Sequence, residues 1–112
     1  MEMVSVIVPA YNEENGIREV MREIIDVMEG SDHPYELIVV DDGSTDKTSL
    51  ILRELEVKVI THEVNQGYGS ALKSGIRESK GKQIVILDAD GSYPPKEIPS
   101  LIKESSEFDM VV

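Results

Sequence analysis

Five short runs of aliphatic, mostly β-branched residues are spaced along the chain, and a stretch with helical periodicity separates each pair. This alternation constrains the fold more than any other feature. A strand that is apolar along its whole length must be covered on both faces, and helices between successive strands supply the cover. The sequence predicts β-α-β-α-β-α-β-α-β with short connections. That pattern implies an α/β fold, a doubly wound, mostly parallel sheet with helices on both faces. Residues 1–112 read as one unit, without repeat, linker or low-complexity segment.

The predicted strands are Met3–Pro9, Glu36–Asp41, Val57–Thr61, Lys82–Leu87 and a fifth beginning in Glu107–Val112. The third is the most alternating and reads as an edge strand. Between Asn12 and Gly30, Ile17, Val20, Met21, Ile24, Ile25 and Met28 recur in steps that mark an amphipathic helix. Asn12 would cap its start and Gly30 its end. A second helix is expected near Asp46–Leu55, capped by Ser44 or Thr45, with Leu50, Ile51 and Leu55 facing in. A third spans Gly67 to Ser79 with Gly69, Ala71 and Gly75 along one side. Pro94 and Pro95 lead into a fourth, through about Ser105, with Ile98, Leu101 and Ile102 inward. Because the sequence stops inside an apolar strand pattern, the expectation is a domain truncated at its C-terminal end. Its unfinished sheet edge would favour self-association.

Charge and composition narrow the function. The formal net charge is −11, which argues against a nucleic-acid backbone as partner. Residues 1–56 hold 14 acidic against 4 basic side chains, and much of the excess falls on the first helix, where Glu19, Glu23, Asp26 and Glu29 read as a solvated face. Cysteine is absent, so disulfides, thiolate metal sites and cysteine nucleophiles are excluded. No apolar run is long enough to span a membrane, and no basic-flanked leader opens the chain, so a cytoplasmic setting is expected.

Ligands of open α/β sheets bind beyond the carboxyl ends of the strands. Three acid-rich segments fall at such ends: Pro9-Ala10-Tyr11-Asn12-Glu13-Glu14, Asp41-Asp42-Gly43-Ser44-Thr45-Asp46 and Asp88-Ala89-Asp90-Gly91-Ser92-Tyr93-Pro94. Without basic residues there to offset them, the three clusters suggest a cation. Asp88 and Asp90 are two apart on an extended chain and point the same way. A hard cation such as Mg²⁺ or Mn²⁺ accepts one or two carboxylates together with phosphate oxygens. The bland alternative is a turn in which the Asp side chains bond backbone amides. Asp41 and Asp42 diverge, so one could face a ligand while the other braces the loop. Tyr11 could stack on a base, and Glu13 could be only a helix-dipole acid. Gly67 and Gly69 read as turn and close-packing residues rather than a phosphate loop, which lacks its lysine pattern here. His33 and His62 read as loop and strand-end residues.

Together, VSVIVPAYNEE, ELIVVDDGSTDKT, NQGYGSALKSGI and IVILDADGSYPPKEIPSLI resemble the nucleotide-binding half of family 2 glycosyltransferases with the GT-A fold. DADGSYPPKEI is most similar to enzymes that move a sugar from a nucleotide to a polyprenyl or dolichyl phosphate. The resemblance implies that Pro9, Ala10, Tyr11 and Glu13 line a nucleotide pocket. Val40 and Asp42 would contact base and ribose, with Asp41 supporting. Asp88 and Asp90 would hold Mg²⁺ or Mn²⁺ on the diphosphate, with Ala89 alongside. It implies a UDP- or GDP-linked sugar as donor, a lipid-phosphate acceptor at the cytoplasmic face of a membrane, and inversion at the anomeric carbon. Relatives of the mannosyl-phosphate type often carry glutamine where this chain has Ser92. The expectation for the chain alone is donor binding with poor transfer. Two other readings compete. ILDADG also resembles the nucleophile motif of haloacid-dehalogenase-type phosphatases, with Asp88 phosphorylated and Asp90 as acid/base. A nucleotide-binding or assembly module without chemistry is the other.

Overall fold

The computed structural model describes residues 2–104 and 110–111. Five strands form one sheet: β1 (Val4–Ala10), β2 (Tyr35–Asp42), β3 (Lys58–His62), β4 (Gln83–Ile86) and β5 (Met110–Val111). Every pairing is parallel and the order is β3-β2-β1-β4-β5. The predicted alternation is therefore met, with β3 at the edge. The stretches Ser105–Asp109 and Val112, where the fourth helix was expected to end and the fifth strand to begin, lie outside the described residues.

The helices are α1 (Ile17–Glu29), α2 (Thr48–Arg53), α3 (Tyr68–Glu78) and α4 (Ile98–Glu104), the last preceded by a 3₁₀ turn at Pro95–Glu97. Every residue of β1 is buried. Alternation along it divides the core. Val4, Val6 and Val8 join Ile17, Met21 and Ile24 of α1, Leu52 of α2 and Ile98 of α4 in one cluster. On the other face lies α3, close enough that a Cβ added at Gly75 would stand 2.5 Å from Ile7 Cγ2. Gly75 and Ala71 are thus the small residues that let the helix settle on the sheet. Gly69, expected beside them, faces open space.

Two helices start later than expected, for a shared reason. Asn12 does not cap α1; its φ is 51°, and its Oδ1 accepts from Thr45 N at 2.8 Å and from Asp46 N at 3.3 Å. Asn tolerates this left-handed conformation better than most residues. Nor do Ser44 and Thr45 cap α2. Ser44 Oγ accepts from Asn12 N at 3.0 Å, and Thr48 Oγ1 accepts from Glu13 N at 2.9 Å. Side chains read as local caps instead clasp the segment after β1 to the segment after β2. α2 is only 6 residues long and starts at Thr48. Leu52 is fully buried, whereas Leu50, expected inward, is 56% exposed.

The chain runs from β1 through β2 to β3 in one direction, then crosses to β4 on the far side of β1. The order therefore reverses between β1 and β4. A crevice at their carboxyl ends is where sheets of this kind receive ligands.

Candidate functional site

A cleft of about 470 Å³ opens at that crevice. The floor is β1 running out, with Pro9 and Ala10, and Tyr11 and Glu13 follow at the rim. Asp42, at the end of β2, forms one side with Asn65 and Gly67. The first turns of α3 contribute Tyr68 and Ala71, and the loop after β4 contributes Asp88, Ala89 and Asp90. Eight of the ten residues singled out from the sequence thus meet in one place. Val40 does not line the cleft: it is fully buried on the α3 face of β2, beneath Gly75. Asp41 does not line it either, because its carboxylate turns to brace the loop, accepting from Ser44 N at 3.2 Å and from the Ser49 hydroxyl.

Beyond β4 the chain enters a turn in which Asp88 and Asp90 are exposed and Ala89 is buried, 2% exposed. The Asp90 carboxylate accepts from Ser92 N at 2.9 Å, across a turn in which Gly91 takes φ +75°. That bond and one from the Ser92 hydroxyl hold Asp90 below the usual carboxylate range. Ser92 therefore orients Asp90 rather than entering the cleft. Burial, and after it the pull of the neighbouring Asp88 carboxylate, pushes the Tyr68 phenol up. Glu13 faces the same charges: burial raises its carboxyl, and Asp90, Asp46 and Asp88 raise it further.

Among the described residues, no lysine or arginine lines the cleft. Acids crowd its mouth and add to the effect of burial on Glu13, a field that suits a cation. Among the described residues, however, no group of three or more His, Asp or Glu side chains is arranged to hold a metal alone. Two carboxylates that leave most positions to phosphate oxygens and water are the donor set Mg²⁺ or Mn²⁺ accepts. The residues fit a metal carried in with a phosphorylated ligand.

Asp42 is the most heavily bonded group of the site. Oδ1 accepts from Gln66 N at 2.9 Å and meets His62 Nδ1 at 2.8 Å. Oδ2 accepts from Gly67 N at 2.9 Å and from Asn65 Nδ2 at 3.2 Å. Burial alone would raise its pKa, but these bonds outweigh it and hold the carboxyl below its ordinary value. The loop they pin crosses directly over Gly43, where φ is +72° and an added Cβ would lie 2.3 Å from Asn65 N. Asn65 and Tyr68 do not stand out as site residues in the sequence, and Gly67 and Ala71 read there only as turn and helix-packing residues. The signal for Tyr68 was present, an aromatic between two glycines at a helix start, but NQGYG reads first as a turn.

A sequence model described as Glycosyl transferase family 2 matches residues 5–112. Undecaprenyl-phosphate 4-deoxy-4-formamido-L-arabinose transferase of Edwardsiella ictaluri is 36% identical over 118 residues, which cover 99% of this chain and 36% of that protein. The enzyme of that name from Proteus mirabilis is 37% identical, covering 96% and 35%. The chain thus spans about a third of the length of these relatives. Among solved structures, glucosyl-3-phosphoglycerate synthase from Mycobacterium tuberculosis with Mn²⁺, UDP and phosphoglyceric acid superposes with a TM-score of 0.76 at 30% identity, covering 91% of this chain and 38% of that one. A mannosyltransferase from Pyrobaculum calidifontis in complex with GDP-Man and Mn²⁺ gives 0.71 at 31%, covering 88% and 30%.

Proposed function

The chain belongs to glycosyl transferase family 2, and from that membership we propose that its cleft binds a nucleoside-diphosphate sugar through a divalent cation and serves transfer of the sugar to a polyprenyl-phosphate acceptor. The observation that carries the reading is the pair Asp88 and Asp90, exposed where the strand order reverses, in a cleft that no basic side chain lines among the described residues. A diphosphate could not enter such a field unaccompanied. The undecaprenyl-phosphate transferases among the relatives support the lipid-phosphate acceptor, and the Mn²⁺ complexes of the structural neighbours support the metal.

Asp88 and Asp90 would hold Mg²⁺ or Mn²⁺, which when bound neutralises charge on the departing nucleoside diphosphate. Ser92 keeps the Asp90 carboxylate aimed, and Tyr68 lines the cleft with Asp88. Tyr11, 45% exposed at the rim, offers a ring to the base. Pro9 and Ala10 form the floor beneath the nucleoside. The Asp42 oxygens are committed to the 62–67 loop, so Asp42 acts on the nucleoside mainly by shaping the wall. A phosphate acceptor is already anionic, and attack from the face opposite the leaving group would invert the anomeric carbon without a strong protein base.

Calorimetric titration of UDP and GDP, with and without Mn²⁺, tests the proposal on the wild type and on Asp88→Asn/Asp90→Asn. We expect binding that requires the metal and is lost in the double variant, and the tighter nucleotide identifies the base. Metal-independent binding would overturn the role of the cation, and hydrolysis of a phosphate monoester without any sugar nucleotide would count for the phosphatase reading instead.

A further inference from the structure

We infer that His62 is a positioning residue of the cleft, fixing the Asn65–Gly67 wall through Asp42 and locking that wall to α3 through Ser74. His62 ends β3, and its side chain is only 10% exposed. Nδ1 lies 2.8 Å from Asp42 Oδ1, and Nε2 lies 2.8 Å from Ser74 Oγ. A carboxylate only accepts, so Nδ1 carries the hydrogen of the first bond. The ring therefore joins three elements that the sequence keeps apart: the end of β2, the end of β3 and the middle of α3.

The consequence reaches the cleft by a short route. Asp42 receives the amides of Gln66 and Gly67 on its two oxygens. Gly67 immediately precedes α3, with φ +100°, and the helix opens with Tyr68. Orienting the Asp42 carboxylate thus orients the wall and the entry into the helix that carries Tyr68 and Ala71. Imidazole suits the task because its two nitrogens diverge and satisfy partners on opposite sides. A phenyl ring would fill the space and satisfy neither. The bland alternative is a histidine buried for stability alone. A general loss of stability would loosen the whole sheet, whereas loss of a positioning group would loosen residues 65–67 selectively.

Amide hydrogen exchange by NMR on the 112-residue chain separates the two. The variants are His62→Phe, His62→Gln and Ser74→Ala, each also titrated with UDP and GDP in Mn²⁺. In His62→Phe we expect exchange at Gln66 and Gly67 to accelerate about tenfold or more while Val6 and Val39 in the sheet keep wild-type protection. Ser74→Ala shows a smaller shift of the same pattern, and His62→Gln, which retains a donor for Asp42, recovers part of the loss. Nucleotide Kd rises in parallel. Wild-type exchange at Gln66 and Gly67 in His62→Phe overturns the proposal, and so does acceleration by one common factor throughout the sheet. If His62→Phe does not fold, the same two criteria apply to Ser74→Ala. The effect on nucleotide affinity rests on the donor-site reading above, but the effect on the wall does not. A wild type that binds neither nucleotide yet shows the selective pattern would end that reading and leave the positioning role standing.

Discussion

Asp42 and Glu13 face one cleft with carboxyl groups displaced in opposite directions. For Asp42 the folded-state value lies below the ordinary one, through its bonds to His62, Gln66 and Gly67. Its contribution to stability is therefore fully present above the unfolded value near pH 4 and is lost as pH falls through the folded value. We expect Asp42→Ala to cost about 3 kcal/mol at pH 7, since a nearly buried anion and its donors lose each other. Urea unfolding measures it, and the deficit should shrink below pH 3. Glu13 is raised by burial and by Asp90, Asp46 and Asp88, so its charged form is disfavoured on folding. That cost is present at neutral pH and disappears once the group is protonated in both states. Glu13→Gln should then raise Tm by about 2 °C at pH 7 in metal-free buffer. At pH 3.5 the gain should vanish, and Mn²⁺ added together with a nucleoside diphosphate should reduce it at pH 7. A gain independent of both would mean that carboxylate crowding is not its cause.

Among the elements, α3 is the one whose packing depends on an absent side chain. Gly75→Ala gains helix propensity of about 1 kcal/mol but sets a methyl against Ile7 in the fully buried centre of the sheet. Overpacking of this kind costs about 1–3 kcal/mol, so a net loss near 1 kcal/mol is expected by denaturant titration. Leu50→Glu on α2 should change stability by less than about 0.5 kcal/mol, because that side chain is already in solvent. The contrast shows what the sequence made legible. Uniformly apolar strands and the steps of Ile17, Met21 and Ile24 carry their own evidence, because burial demands them. Asn12 and Ser44 do not, since the residue types favoured at helix caps are also favoured in loop-to-loop hydrogen bonds. Only the spatial neighbour decides, here Thr45 for one and Asn12 for the other. The same reasoning covers the site. Asp88 and Asp90 stand out in isolation because paired carboxylates are conspicuous after an apolar strand. His62 acquires a role only once β3 and α3 bring Asp42 and Ser74 to its two nitrogens.

At the scale of the whole molecule, β1 sits in the middle of the sheet with β2 and β4 as its neighbours. The two junctions are unequal. Against β2 the register runs over seven pairs, from Val4↔Tyr35 to Ala10↔Asp41. Against β4 it runs over four, from Val4↔Gln83 to Ile7↔Ile86, and that contact joins residues almost 80 positions apart. Closing so long a loop is slow compared with pairing near neighbours. The β1-α1-β2 unit has what it needs to form early, with the floor of the cleft and Asp42 already on it. Asp88 and Asp90 must wait until β4 has docked. During refolding, protection of the Val39 amide should precede that of Val85, and at equilibrium Val85 should open at lower free energy. The carboxylate pair is then the last part of the cleft to be assembled and the first to come away, and a ligand that bridges it to the nucleoside side would act as the clasp that shuts the sheet.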